Sequence, residues 1–109
     1  MPEKAAKDLV ADWLGGEYTM FEAATEDPET AWKAILKLSR RSLTNEQRSL
    51  LAGGPLETLL VWHGSDFIGR VEQEAKFNAH FSHLLGGVWC GRMSHEIRNR
   101  IEGARKETW

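Results

Sequence analysis

The sequence predicts an all-α protein, and two observations support that prediction. Apolar residues recur at helical spacing along most of the chain, as at Ile97 and Ile101 near its end. No segment alternates apolar and polar residues as a half-buried strand does, and β-branched residues are scarce. We therefore expect a compact bundle of six or seven short helices.

Capping residues indicate where several of these helices begin. Asp27 followed by Pro28 is a typical helix start, with the aspartate as N-cap and the proline in the first turn. Thr44 and Gln47 fit a capping box, in which each side chain bonds the backbone amide of the other residue. Ser94 is the expected cap of the last helix.

Glycines indicate where helices end. The pair at residues 15–16 ends the first helix, and the stretch 17–26 is either a loop or one helical turn. We expect the pair at residues 53–54 to end a short helix and Pro55 to open another, which stops at Gly64. A further break is expected near Asn78. The segments LLAGGPLETLL and HLLGGVW resemble each other, so a helical-repeat arrangement is the alternative to a compact bundle.

Length and composition restrict the class of protein. The chain has 109 residues, of which 41% are hydrophobic, and its net charge is −2. These values suit a single domain over residues 1–109. Cys90 is the single cysteine, which excludes an internal disulfide. The N-terminus lacks the apolar stretch of a signal peptide, and no apolar run is long enough to span a bilayer. We therefore expect a cytoplasmic protein with no membrane partner.

The charge is distributed unevenly. Residues 1–30 carry eight acidic and two basic residues, a net of −6, whereas residues 31–109 carry twelve basic and eight acidic residues, a net of +4. This divides the chain into an acidic N-terminal segment, 1–30, and a helical core, 31–109. Clustered charge can steer a partner, and Glu26, Asp27 and Glu29 are the candidate contacts. The alternatives are that these acids only keep the segment soluble, or that the segment docks on its own basic core, which we favour.

Five tryptophans are many for a chain of this length. Trp13 and Trp32 fall in apolar stripes, and Trp89 lies in GGVWCG, where the glycines allow close backbone approach. We expect these three in the core, whereas Trp109 at the terminus carries no information. Trp62 is rotated by about 100–200° from the leucine stripe of its helix, which predicts partial exposure. Exposed tryptophan is common at protein interfaces, although Trp62 packing between two helices is the alternative.

No motif in the sequence indicates catalysis or a cofactor. His80 and His83 share a helix face, but no third metal ligand lies at a suitable spacing, so we expect no metal. Arg92 could activate the Cys90 thiol, yet a lone free cysteine is usually a small buried apolar residue. Phosphate-binding glycine motifs are missing from the sequence. The sequence therefore predicts a protein that is not an enzyme and needs no cofactor.

Three blocks of sequence carry a family resemblance: GPLETLLVWHG at 54–64, FIGRVEQEA at 67–75 and LLGGVW at 84–89. They resemble an uncharacterised bacterial domain-of-unknown-function family of small helical proteins, over roughly residues 31–103. The resemblance implies a single helical domain and no assigned activity. Glu57, His63 and Glu72 are the polar residues of these blocks that stand out. We favour structural roles for them, with Glu57 capping a neighbouring helix and His63 holding a helix C-terminus.

The leading functional hypothesis is a small protein-interaction module, accessory, immunity-like or inhibitor-like, that binds a partner protein. Trp62 and the acidic residues of the N-terminal segment are its candidate contacts. The alternative is nucleic-acid binding through the basic C-terminal helix, where Arg98 and Arg105 are seven residues apart and are expected to share a face. The overall acidic balance of the chain makes this the second choice.

Overall fold

Helices make up nearly all of the secondary structure in residues 5–105, which are the residues that the computed structural model describes. The helices are α1 (Ala6–Leu14), α2 (Thr19–Glu26), α3 (Pro28–Ser39), α4 (Asn45–Leu51), α5 (Glu57–Phe77), α6 (Ala79–Leu85) and α7 (His95–Ala104). A π-helical turn, Ala52–Leu56, joins α4 to α5 without a break. The described residues therefore form six continuous helical segments, and the prediction of an all-α fold is confirmed.

The capping residues act largely as their spacing indicates. The Thr44 hydroxyl accepts a hydrogen bond from the Gln47 amide at 3.1 Å, and the Gln47 side chain accepts one from the Thr44 amide at 2.9 Å. The Ser94 hydroxyl accepts from the Ile97 amide at 3.3 Å. Helix α3 begins at Pro28 as predicted, but the Asp27 side chain makes no capping hydrogen bond. The backbone position of a cap is thus more predictable than its side-chain bond.

The prediction that residues 53–54 end one helix and Pro55 opens another is wrong. The π-helical turn carries the chain through these residues and accommodates Pro55, which has no N–H to donate. Gly54 has a different role: a Cβ atom on it would lie 2.7 Å from Cζ of Phe21. This glycine admits an aromatic ring from α2 against the helix.

The predicted helix end at Gly64 is wrong in the same way. Helix α5 continues through it, with a bend at His63, whose φ of −131° and ψ of 23° are not helical. A Cβ atom on Gly64 would lie 3.2 Å from Ile97 of α7. The glycine therefore lets α7 approach α5 closely. The two segments that resemble each other also differ in structure, since the first is helical throughout and the second leaves α6 for a loop.

The core forms around α5, which packs against α2, α3, α6 and α7. At its centre the Trp32 ring lies 5.8 Å from the Phe67 ring and 5.5 Å from the Phe81 ring, between ring centroids. The Trp32 prediction is confirmed, because only 6% of this residue is exposed. Trp13, which was also expected in the core, is only partly buried against it. Trp109 lies outside the described residues.

The acidic N-terminal segment takes part in this packing. Leu9 and Val10 of α1 and Met20 and Ala24 of α2 are buried members of the same hydrophobic cluster. Both helices pack on α3, and α2 also packs on α5. The division at residue 30 therefore describes the distribution of charge and not the packing.

Candidate functional site

Two tryptophans of residues 5–105 are exposed. Trp62 is 67% exposed, as its position on the helix predicts, and Trp89 is 63% exposed. The expectation that Trp89 fills the core is wrong. Residues 88–90 lie outside any helix, and in them Val88 and Cys90 are buried while the residue between them points outward. All three residues of VWC are apolar, so the sequence holds no local signal for which of them is exposed.

The loop that carries Trp89, residues 86–92, is called the tryptophan loop. The Trp89 backbone N–H donates a hydrogen bond to Oε1 of Glu57 at 3.1 Å. The Arg105 guanidinium donates to the Val88 carbonyl at 3.0 Å and to the Leu85 carbonyl at 3.5 Å. Contacts from α5 and from the end of α7 thus fix the loop backbone on both sides of the exposed indole.

Gly91 allows the Trp89 indole its position. A Cβ atom on Gly91 would lie 2.2 Å from Cζ2 of the indole, closer than any two such atoms can approach. The indole therefore lies where a Cβ of residue 91 would be. The contact orients the ring while leaving most of it in solvent, so the loop presents the indole in a defined direction.

Glu57 is the residue that connects the tryptophan loop to α5. It is only 7% exposed, and Oε2 lies 3.6 Å from Nη2 of Arg92 while Oε1 accepts from the loop amide. The expectation that Glu57 caps a neighbouring helix is wrong, because its partner is the amide of a loop residue. A buried carboxylate with both oxygens engaged is stabilising only where its partners stay in place. Sequence reasoning assigned Glu57 a structural role but did not connect it with Trp89.

His63 holds the other side of this part of α5. Its Nε2 donates a hydrogen bond to the Thr25 carbonyl at 2.7 Å, and Thr25 lies in the last turn of α2. The prediction that His63 holds a helix C-terminus is confirmed. Each residue of a helix adds about 100° of rotation, so Trp62 lies about 140° around α5 from Glu57. The buried Leu60 lies on the opposite side of the helix from Trp62. Trp62 therefore points into solvent, between the side of α5 that faces the tryptophan loop and the side that faces α2.

A second exposed aromatic pair lies on α2 and its N-cap. The Tyr18 and Phe21 rings are 6.2 Å apart between centroids, and the Phe21 ring lies against Gly54. Exposed aromatic residues are thus found on the N-terminal half of α5 and on both segments that pack beside it. We call the exposed side chains of Trp62 and Trp89 together the tryptophan surface.

The acidic candidates are less free than their sequence suggests. Glu29 forms a two-bond ion pair with Arg70 of α5, at 2.7 and 2.8 Å, and the guanidinium lowers the pKa of the Glu29 carboxyl. Glu26 is exposed at the end of α2, and Asp27 is half-buried at the junction of α2 and α3. Of the three, Glu29 is already committed to a partner within the chain.

The basic candidates on α7 do not form one exposed face. Arg98 pairs with Glu102 within the helix at 3.2 Å. Arg100 pairs with Glu72 of α5 and lowers the pKa of that carboxyl. The helix ends at Ala104, so Arg105 is in extended backbone, and its guanidinium bonds the carbonyls of the tryptophan loop. The expectation that Arg98 and Arg105 share a face is therefore wrong.

The described residues offer little for catalysis. Cys90 is buried, and its burial raises the pKa of the thiol, which disfavours the nucleophilic thiolate. Within residues 5–105, no three histidine, cysteine, aspartate or glutamate side chains come together as metal ligands. None of the helices in the same range combines the length and apolar character needed to cross a membrane.

Residues 3–109 match the model of the family of unknown function DUF6869, and the chain therefore belongs to that family. The match includes the acidic segment, which the resemblance read from the sequence left outside. No curated protein and no solved structure matches the chain.

Proposed function

We propose that this member of the family is a small protein-interaction module that binds a partner protein through the tryptophan surface. The observation that carries the proposal is the buried Glu57 carboxylate, which holds the loop that leaves Trp89 in solvent. Tryptophan is the residue most enriched among the few that dominate binding energy at protein interfaces. A fixed and exposed indole is suited to that role.

The fixed loop also lowers the cost of binding. Ordering a mobile side chain or loop at an interface costs about 0.5–1.5 kcal/mol for each side chain that becomes immobile. The hydrogen bonds from Glu57 and Arg105 order the tryptophan loop before any partner arrives. The folding of the chain uses the buried Val88 and Cys90 of this loop but gains little from the exposed indole, which stays available to a partner.

The proposal includes an accessory, immunity-like or inhibitor-like role in the bacterial cytoplasm, without catalysis. The buried Cys90 thiol supports the absence of a cysteine nucleophile. Glu26 and Asp27 are proposed as charged residues at the rim of the interface, where a charge affects the rate of association more than the affinity. Glu29 has less support, because it pairs with Arg70.

The experiment uses three single variants of the purified, tagged chain. Trp62→Ala and Trp89→Ala each remove one indole of the surface, and Phe77→Ala removes an equally exposed ring at the far end of α5. Phe77 is fifteen residues from Trp62, about 22 Å along the helix axis, so it tests exposed aromatic area as such. The partner is captured from a lysate, identified by mass spectrometry, purified and titrated against each variant by calorimetry.

We expect each tryptophan variant to raise the Kd of the purified complex by about tenfold or more, the effect of losing an interface residue of this kind. Phe77→Ala should leave the Kd within about twofold of the wild type, since surface changes away from an interface have small effects. Wild-type affinity in both tryptophan variants would show that this surface is not the binding site. The far-ultraviolet circular dichroism of all variants controls for folding.

Nucleic-acid binding through α7 is the alternative. Its phosphate contacts would strengthen at low salt, so a gel-shift titration at low ionic strength is the most sensitive test. A response that Arg98→Gln abolishes would support it. An unchanged migration at low salt would remove it, in line with the carboxylates that already neutralise Arg98 and Arg100.

A further inference from the structure

A basic cavity lies between α6 and the loop that connects α3 to α4. Its volume is about 550 Å³, within the range of about 300–1,000 Å³ that is common for ligand pockets. The lining contains three guanidinium groups, two imidazoles and several hydroxyls, from Arg40, Arg41, Arg48, His80, His83, Ser39, Ser42 and Thr44. No aspartate or glutamate of the described residues is among the lining side chains. The cavity is separate from the tryptophan surface.

Two of the three cavity arginines, Arg41 and Arg48, differ from the others in the described chain. Outside the cavity, a glutamate partners each of four arginines, as in the Arg70–Glu29 and Arg100–Glu72 pairs, and Arg105 is bound to carbonyls. Within residues 5–105, Arg41 forms no side-chain hydrogen bond or ion pair, and Arg48 has no carboxylate partner. The two guanidiniums without a carboxylate therefore line the same cavity.

Local contacts aim these groups without using up their donors. Nη2 of Arg48 donates to the Leu43 carbonyl at 2.9 Å, and Leu43 itself is buried and anchors the loop. Arg40 gives one N–H to Glu74, at 3.2 Å. A guanidinium has five N–H donors, so most of the donors on Arg40 and Arg48 remain available to a ligand.

We propose that this cavity binds a small phosphorylated molecule through Arg41 and Arg48. A phosphate monoester carries nearly two negative charges and three strong acceptor oxygens. It can balance the charge of two guanidiniums at once, whereas a carboxylate carries a single negative charge. A carboxylate ligand would leave one of these two guanidiniums without a counter-charge. The concave shape favours a compact ligand over the long backbone of a nucleic acid.

The test is a calorimetric titration of the full chain with inorganic pyrophosphate at pH 7 and low ionic strength. The main variant is Arg41→Gln, because Arg41 is exposed and its side chain holds no other part of the described fold. Arg98→Gln is the matched control, since it removes the same charge from an exposed helix elsewhere. Amide shifts in nitrogen–proton spectra locate the contact independently of the variants.

We expect saturable binding by the wild type, weakened about tenfold or more in Arg41→Gln and unchanged in Arg98→Gln. The amide shifts should concentrate in residues 39–44 and 79–84. Trp89→Ala should bind pyrophosphate as the wild type does, which separates this site from the proposed protein interface. Three results would overturn the proposal: no saturable binding, an equal loss in both arginine variants, or acetate binding as tightly as pyrophosphate. Arg48→Lys, which keeps a cation near the Leu43 carbonyl, adds a second variant should Arg41→Gln be poorly folded.

Discussion

Trp32 lies in the middle of the core and Trp89 on the loop after α6, and different contacts hold the two indoles. The Trp32 ring packs between the rings of Phe67 and Phe81, and almost none of it reaches solvent. Around Trp89 the bonds are made by the backbone: its amide reaches Glu57, and the carbonyl before it reaches Arg105. The side chain of Trp32 therefore holds the fold together, whereas at Trp89 the main chain does.

Because of this difference, Trp32 contributes to the stability of the fold, whereas Trp89 is exposed and contributes little. Burial of a tryptophan in the core contributes directly to the free energy of folding. The support of the tryptophan loop lies instead in Glu57, Arg105 and Gly91, and it persists when the indole is removed. We therefore expect the protein to keep its fold without the Trp89 side chain, which the proposed role in binding requires.

The largest expected effect comes from removing each indole in turn. Trp32→Ala should lower the free energy of unfolding by about 3–5 kcal/mol, because it leaves a large cavity between Phe67 and Phe81. Trp89→Ala should change it by less than about 0.5 kcal/mol, as for other exposed side chains. Urea unfolding followed by circular dichroism measures both. Similar losses in the two variants would end the distinction drawn between them.

A medium effect is expected at Glu57. Glu57→Ala removes the acceptor of the Trp89 amide and should cost about 1.5–3 kcal/mol, the range for a hydrogen bond to a charged group. Glu57→Gln keeps an acceptor oxygen for that amide and should cost less, although it loses the charge that faces Arg92. Urea unfolding of the pair measures the difference. If Ala and Gln destabilise equally, the loop amide is not what Glu57 holds.

A smaller effect on stability, but a clear one on the indole, is expected at Gly91. The new Cβ of Gly91→Ala would collide with the Trp89 ring, which can rotate away into solvent. We expect a change of less than about 1 kcal/mol in unfolding free energy. The Trp89 fluorescence, isolated as the difference from Trp89→Ala, should shift, and affinity for the protein partner should fall. Partner affinity that survives the displacement of the ring would mean that its orientation is irrelevant to binding.

The sequence predicts the helices of this protein better than the positions of its tryptophans. Capping residues such as Thr44 and Ser94 act through bonds to amides three residues away, so local spacing is enough to find them. The sequence wrongly predicts helix ends at Gly54 and Gly64, because the contacts that favour glycine there are not local. Each faces a residue far away in sequence, Phe21 and Ile97, which a Cβ would push outward.

For the same reason, the sequence predicts only one of the two exposed tryptophans of the candidate site. The exposure of Trp62 follows from its angle on one helix, which is local information. The exposure of Trp89 depends on Glu57, which is thirty-two residues away, and on the end of α7. The pairing of Glu29 with Arg70 likewise joins two helices and cannot be read from charge counts.

The smallest expected effect concerns the ion pair that fastens α7, the helix that leads to Arg105 and the tryptophan loop. Arg100 lowers the pKa of Glu72 from 4.5, so the pair stabilises the fold above that pH and loses its effect as the pH falls through the folded-state value. Glu72→Gln should therefore flatten the loss of stability below about pH 4.5 and change little at pH 7, because the pair is partly exposed. Glu102→Gln, which removes a carboxylate within α7 only, should keep the wild-type slope. Urea unfolding between pH 3 and pH 7 measures the slopes.

The two tryptophans should also respond to acid in a fixed order. Trp32 of α3 packs against α5 and α6, so acid should alter the emission of Trp89 before that of Trp32. The reverse order would mean that the tryptophan loop does not depend on the docking of α7.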